Sequence, residues 1–164
     1  MAVWRFIWAG SALLLAKLNS TERSQWPAYL VACAVASMLA TGLFGLGWGA
    51  APIFAGVNVA EPLLGGIILA RWSQRYGSGS FVWLKGFLVA SALPPAITSL
   101  VVAFVAYVGF GREPVSILTH WFIGHSLGLL TFTLLFAHWF RGHLGEKLRG
   151  SLRAKPARPL LRSL

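Results

Sequence analysis

The chain has 164 residues, of which 57% are hydrophobic, and its mean hydropathy is +0.70. These values fit one domain and exclude an ordinary soluble fold. The formal net charge of +10 would suit a nucleic-acid-binding surface, but half of the 14 basic residues follow the last apolar stretch and most others flank apolar stretches. We therefore expect a membrane protein that binds no nucleic acid.

Five apolar stretches follow one another along the chain, at 2–16, 27–46, 50–70, 86–110 and 117–140. A bilayer core takes about 20 apolar residues per spanning helix. The last four stretches meet this length and the first is marginal. The sequence therefore predicts an all-α, polytopic transmembrane helical bundle of about five spanning helices within residues 1–140.

Orientation follows from the positions of lysine and arginine, which accumulate on the cytoplasmic side of membrane proteins. The segment 141–164 carries seven of them, and the loops 17–26 and 71–85 fall on the same side when there are five spans. This distribution predicts a cytoplasmic C-terminus and an outer N-terminus. Arg5 would then have to cross the membrane, so either the first segment inserts poorly or an upstream span is missing from this chain.

Glu61 is the only acidic residue within a predicted span, and Asn58 lies one turn before it on the same helical face. Glu61 is expected to lie about 16 Å deep, near the bilayer midplane. A charged carboxylate there costs about 2.5–3.5 kcal/mol on insertion scales, so we expect it to face the bundle interior, protonated or paired. Two roles are open: a neutral side chain bonded to a neighbouring helix, or a sensing, proton-linked or ligand-binding group.

The fourth stretch contains Pro94 and Pro95 near its middle. Proline removes a backbone donor and clashes with the preceding turn, so we expect this helix to be broken or kinked there. One interpretation is a packing kink. The other is that freed backbone carbonyls face a central cavity, as in the broken helices of transporters.

His125 is the natural partner of Glu61, since it lies about 12 Å deep in the last stretch. Trp121 shares its helical face, and the two prolines reach a similar level. We predict a central ligand-binding or sensing site formed by Asn58, Glu61, Trp121 and His125, beside the structural kink at Pro94 and Pro95.

No cofactor or metal is expected. A haem held by two histidines inside a bundle needs histidines on facing helices. The four histidines of this chain all lie on the last stretch or just beyond it: His120, His125, His138 and His143. The chain also lacks the phosphate-binding, zinc-protease and serine-hydrolase motifs G-x-x-x-x-G-K-[ST], H-E-x-x-H and G-x-S-x-G. We therefore expect no enzyme activity.

The segment 141–164 is predicted to be a basic cytoplasmic tail. Leucines recur every four residues at 144, 148 and 152, which indicates a short amphipathic helix, and the prolines at 156 and 159 precede a disordered end. Four basic side chains are expected to face anionic lipid: Lys147, Arg149, Arg153 and Lys155.

Four segments carry a family resemblance: F-I-W-A-G-S-A-L-L-L-A at 6–16, W-P-A-Y-L-V-A at 26–32, N-V-A-E-P-L-L-G at 58–65 and H-W-F-I-G-H-S-L-G at 120–128. In this order they resemble the membrane-associated sensor domain of the first type, the MASE-type sensory domain of bacterial diguanylate cyclases and histidine kinases. The resemblance covers most of residues 4–140. It implies a multi-pass sensor domain of the bacterial inner membrane.

The chain departs from that family in three ways. A span that precedes the I-W-x-x-G segment is missing, an acidic residue usually occupies the position of His125, and the last spans and the output domain are missing. The resemblance thus implies a truncated or stand-alone sensor that cannot itself make cyclic di-GMP.

The expected function is signal transduction: a small ligand, lipid or proton perceived within the bundle, and a signal passed to a cytoplasmic cyclase or kinase. Membrane lipids and a second copy in a homodimer are the other expected partners. The alternative is a small transporter or permease subunit that uses Glu61 and the broken fourth helix as its substrate site. A third interpretation is a structural scaffold, in which Glu61→Gln and His125→Ala leave every phenotype unchanged.

Overall fold

The computed structural model describes residues 9–44, 47–77 and 81–153, with side chains as far as residue 140. It contains five α-helices: α1 (Ala9–Ser20), α2 (Trp26–Phe44), α3 (Ala51–Tyr76), α4 (Phe81–Phe110) and α5 (Pro114–Arg153). A single 3-10 turn, Arg23–Gln25, leads into α2. The prediction of an all-α membrane bundle is confirmed, since α2, α3, α4 and α5 are each long and apolar enough to cross a membrane.

The first helix differs from the predicted stretch at 2–16. Residues 2–8 lie outside the described part of the chain, and α1 continues to Ser20. Its 12 described residues extend about 18 Å, less than the ~30 Å bilayer core. The described part of α1 therefore does not cross a bilayer by itself. It is an internal helix, because Ala12, Leu15 and Ala16 have no exposed surface.

The helices form a ring with one helix outside it. Helix α1 packs against α3, α3 against α4, α4 against α5, and α5 against α1, while α2 packs mainly on the outer side of α3. Helices α3 and α5 therefore face each other across the ring. All four ring helices contribute to one buried layer, which consists of Ala12, Leu15, Leu69, Phe87, Ala90 and Leu129.

The start of α5 is fixed by a side-chain cap. Helix α4 ends at Phe110 and is followed by Gly111, whose positive φ of 60° suits a residue without a Cβ atom. Glu113 then caps α5: its two carboxylate oxygens accept hydrogen bonds from the backbone N–H groups of Val115 at 2.9 Å and Ser116 at 2.6 Å. A negative charge at this position also complements the helix dipole.

The structure corrects one expectation, the break at Pro94 and Pro95. Helix α4 is continuous from Phe81 to Phe110 and contains both prolines, which are buried. Pro94 has no N–H group for the Ala90 carbonyl, and that carbonyl faces Gly65 of α3, where an added Cβ atom would lie 3.1 Å from its oxygen. Because Gly65 has no side chain, α3 approaches this turn of α4 closely. The transporter interpretation therefore loses the broken helix on which it depended.

Candidate functional site

Glu61 lies in the middle of α3, on the face directed into the ring. Phe54, Asn58, Glu61 and Gly65 recur at spacings of three to four residues and are all buried. The Glu61 side chain has no exposed surface. Because an unpaired carboxylate is costly to bury, its surroundings must supply hydrogen bonds.

His125 of α5 supplies the first of these contacts from across the ring. Its Nδ1 atom lies 2.9 Å from both carboxylate oxygens of Glu61, and the residue is only 6% exposed. The two residues are 64 positions apart in the chain. The contact therefore joins α3 and α5, which face each other across the ring.

Thr98 of α4 supplies the second contact. Its Oγ1 atom lies 3.0 Å from Glu61 Oε2 and 3.3 Å from the Pro95 carbonyl oxygen, so its single proton has two acceptors within reach. The indole Nε1 of Trp121 lies 3.3 Å from the same Oγ1 atom. An indole N–H can only donate, so Thr98 accepts from Trp121 and keeps its own proton for Glu61 or Pro95.

Aromatic rings enclose the imidazole. Trp121 stacks on His125 with ring centroids 4.1 Å apart and an interplanar angle of 16°. Phe54 of α3 lies against the same indole, with centroids 5.7 Å apart and the rings tilted by 59°. We refer to Glu61, Thr98, Trp121 and His125 as the Glu61 cluster. Three helices, α3, α4 and α5, contribute to it.

Asn58 lies beside the cluster but is directed towards a different helix. Its Nδ2 atom donates to Ser37 Oγ of α2 at 3.1 Å. Its Oδ1 atom is buried without a hydrogen-bond partner among the described residues, and so is the hydroxyl of Ser126, the neighbour of His125. Asn58 therefore connects α3 to the outer helix, and unused hydrogen-bonding capacity remains next to the cluster.

The cluster can hold different numbers of protons without losing its hydrogen bonds. Nδ1 of His125 can donate to a Glu61 carboxylate, or accept from a protonated carboxyl group. One added proton changes the charge at the centre of the ring by one unit. Metal chemistry is not indicated, since no three His, Cys, Asp or Glu side chains of the described residues lie close enough together to hold an ion.

Of the residues predicted for the site, Glu61, Trp121 and His125 lie together, Asn58 lies one turn away, and the backbone of Pro95 borders Thr98. The sequence analysis missed Thr98. Its signal was a hydroxyl one turn after Pro95, in a stretch whose other serine and threonine residues are Ser91 and Ser99. The predicted basic tail falls on the last turns of α5 as far as residue 153, but its side chains lie outside the described residues, as does all of Lys155.

The chain matches a known protein family. The profile of the MASE1 family matches residues 5–160, which is nearly the whole sequence. Comparisons with curated proteins and with solved structures give no match. The four apolar helices agree with the membrane location of this family, whose members are sensory domains. The protein belongs to the MASE1 family.

Proposed function

We propose that this membrane sensory domain perceives its stimulus, a small ligand, lipid or proton, at the Glu61 cluster. The observation that carries the proposal is the fully buried carboxylate of Glu61, hydrogen-bonded to α4 through Thr98 and to α5 through His125. Few positions in a membrane bundle tolerate an ionisable group, and those that do are functional sites by default.

The cluster can act as a switch because its contacts hold facing helices together. The bond between Glu61 and His125 crosses the ring, so any event that changes the charge of either residue changes the attraction between α3 and α5. A stimulus shifts such a bundle between two packings only by its differential affinity for them. The Oδ1 atom of Asn58, which has no hydrogen-bond partner among the described residues, offers a hydrogen bond to a ligand in one of those packings.

Helix α5 provides the path out of the membrane. It runs without interruption from His125 to Arg153, a distance of about 42 Å at ~1.5 Å per residue. Near the end of the apolar part of α5, the centroid of the Phe140 ring lies 5.0 Å from the Nζ atom of Lys17 in α1. The same Nζ atom lies 5.1 Å from the centroid of the Tyr29 ring in α2. A shift of α5 at His125 would therefore move the basic tail relative to α1 and α2.

The family supports the proposed output partner. MASE1 domains are associated with cyclase or kinase signalling. We propose that residues 1–140 form the sensor domain, that the tail 141–164 is cytoplasmic and contacts anionic lipid, and that the chain acts in the bacterial inner membrane on a cyclase or kinase, as a homodimer. The excess of basic residues at that end of the bundle supports this orientation.

Hydrogen exchange of the α5 backbone tests the proposal. Glu61→Gln keeps the shape and an acceptor for Thr98 but fixes the residue as neutral, so it should imitate a protonated carboxyl group. We expect amide exchange over residues 141–153 in nanodiscs to differ between wild type and Glu61→Gln. His120→Gln, an exposed change on the same helix, is the matched control and should behave as wild type. Identical exchange in wild type and Glu61→Gln would refute the coupling.

A further inference from the structure

A second site, lined by none of the residues of the Glu61 cluster, lies at the end of the bundle where α1 leads into α2. A cavity of about 350 Å³ opens there. Its lining includes Asn19, Glu22, Arg23, Trp26, Ser73 and Trp83, which come from the end of α1, the α1–α2 connection and the adjoining parts of α2, α3 and α4. We call it the turn pocket. Its volume is at the lower end of the ~300–1,000 Å³ range of small-molecule sites.

The aromatic walls of the turn pocket are held in place by hydrogen bonds. The indole Nε1 of Trp26 donates to the Leu18 carbonyl oxygen at 3.1 Å, and that of Trp83 donates to Ser73 Oγ at 3.1 Å. A hydroxyl that accepts such a bond keeps its own proton to donate to a ligand. The pocket is therefore a preformed cavity that offers both hydrogen bonds and indole surface.

The pocket carries one charge of each sign on adjacent residues. Glu22 and Arg23 are both exposed, and neither takes part in an ion pair in the part of the chain that the structure describes. The Arg23 guanidinium carbon instead lies 5.8 Å from the centroid of the Trp26 ring. An acidic group is unusual at this end of α1, α3 and α4, where the other charged residues are basic (Lys17, Arg71, Arg75 and Lys85). The pair suits a ligand that is itself both positive and negative.

The pocket lies near the level where the apolar helices end, which corresponds to the headgroup layer of a membrane. Aromatic residues gather at membrane–water interfaces, and the same end of the bundle carries Trp72, Tyr76 and Phe81 besides the two tryptophans of the pocket. Helix α3 ends at Tyr76 and α4 begins at Phe81, so this level marks the edge of the apolar region. A ligand in the turn pocket is therefore accessible both from the headgroup layer and from water.

We infer that the turn pocket binds a phosphoethanolamine zwitterion. Arg23 pairs with the phosphate, and Glu22 accepts hydrogen bonds from the primary ammonium, with Asn19 and Ser73 as further hydrogen-bonding groups. An anionic glycerol headgroup has no ammonium for Glu22, and a choline headgroup has no N–H to donate. The same zwitterion exists as a phospholipid headgroup and as a free soluble compound.

Native mass spectrometry of the detergent-purified full chain tests this inference. The probes are phosphatidylethanolamine, phosphatidylcholine and phosphatidylglycerol with the same acyl chains. We expect phosphatidylethanolamine to be retained about two- to fivefold more than the others, the range that one partly exposed ion pair supplies. Glu22→Gln should remove this preference, and Arg23→Gln should weaken retention of all three lipids. The control is Arg71→Gln, at an exposed position of α3 near the same end of the bundle. Arg71 does not line the pocket, so this variant should behave as wild type.

The two sources of the zwitterion are separated by adding soluble O-phosphoethanolamine. Displacement of bound phosphatidylethanolamine supports a pocket that takes the headgroup, and Glu22-dependent binding of the soluble compound without effect on lipid supports the free zwitterion. Equal retention of all three lipids by wild type, or an unchanged preference in folded Glu22→Gln, would overturn the inference. Neither result bears on the Glu61 cluster, since no variant alters it.

Discussion

Replacement of His125 by alanine should destabilise the bundle strongly, because it leaves the buried Glu61 carboxylate without its main partner. Both oxygens lie 2.9 Å from His125 Nδ1, and Glu61 has no exposed surface. Removing one member of a buried ion pair costs about 3–5 kcal/mol. The lost stacking on Trp121 adds about 0.5–1.5 kcal/mol. With Glu61 ionised, we expect His125→Ala to lower the free energy of unfolding by about 5 kcal/mol.

A double-mutant cycle separates the pair from the general effect of truncation. Glu61→Gln removes the charge that the alanine variant leaves unpaired, so the double variant should be less destabilised than the sum of the single ones. The expected coupling is about 1.5–3 kcal/mol, the value of a hydrogen bond to a charged group. Unfolding in mixed micelles, followed by far-UV circular dichroism as the denaturing detergent fraction rises, measures all four proteins.

The control for this cycle is His120→Ala, an exposed histidine on the same helix, which should change stability by no more than about 0.5 kcal/mol. Additive effects of Glu61→Gln and His125→Ala within about 0.5 kcal/mol would refute the reasoning. A loss in His125→Ala no larger than that of the control would refute it too.

Three further changes probe the packing and the helix ends. Gly65→Ala should lower the midpoint of thermal unfolding, since its Cβ atom would lie 3.1 Å from the Ala90 carbonyl oxygen. The control Gly56→Ala, at an exposed position, should raise the midpoint, because alanine gains about 1 kcal/mol of helix propensity over glycine. Equal shifts in the two variants would contradict the close approach at Gly65. Glu113→Ala should cost about 0.5–2 kcal/mol in the same thermal scan by removing the cap of α5, and an unchanged midpoint would count against that cap. Trp26→Phe should cost at least about 1 kcal/mol, because a smaller phenyl ring replaces the buried indole and the bond from its N–H group to Leu18 is lost. Chemical unfolding without a loss would contradict the assigned bond.

Much of the site could be predicted from the sequence, because a carboxyl group within an apolar span is costly unless it is buried in the bundle and hydrogen-bonded. Glu61 had to face the interior, and His125 was the polar group at a matching depth on another helix. Thr98 was missed because serine and threonine are common in membrane helices and usually bond to their own backbone. Asn58 was assigned to the same site from its helical face, but its amide group donates to Ser37 of α2.

The continuity of α4 is the clearest case of tertiary structure overriding a local rule. Two adjacent prolines predict a break because each removes a backbone hydrogen bond. In the structure α4 nevertheless runs unbroken through both prolines, and its turn at Ala90 packs closely against Gly65 of α3. No pattern within α4 itself contains this information.

Hydropathy alone determined that the chain forms apolar helices, since backbone groups in a bilayer must be satisfied within each helix. It also placed the polar residues at their depths, because depth depends only on position along each helix. The tertiary structure decided the rotation of each helix about its axis, the position of α1 as a member of the ring, and the partners of Thr98 and Asn58. These features depend on contacts between distant segments, and a local periodicity of 3.6 residues leaves them undetermined.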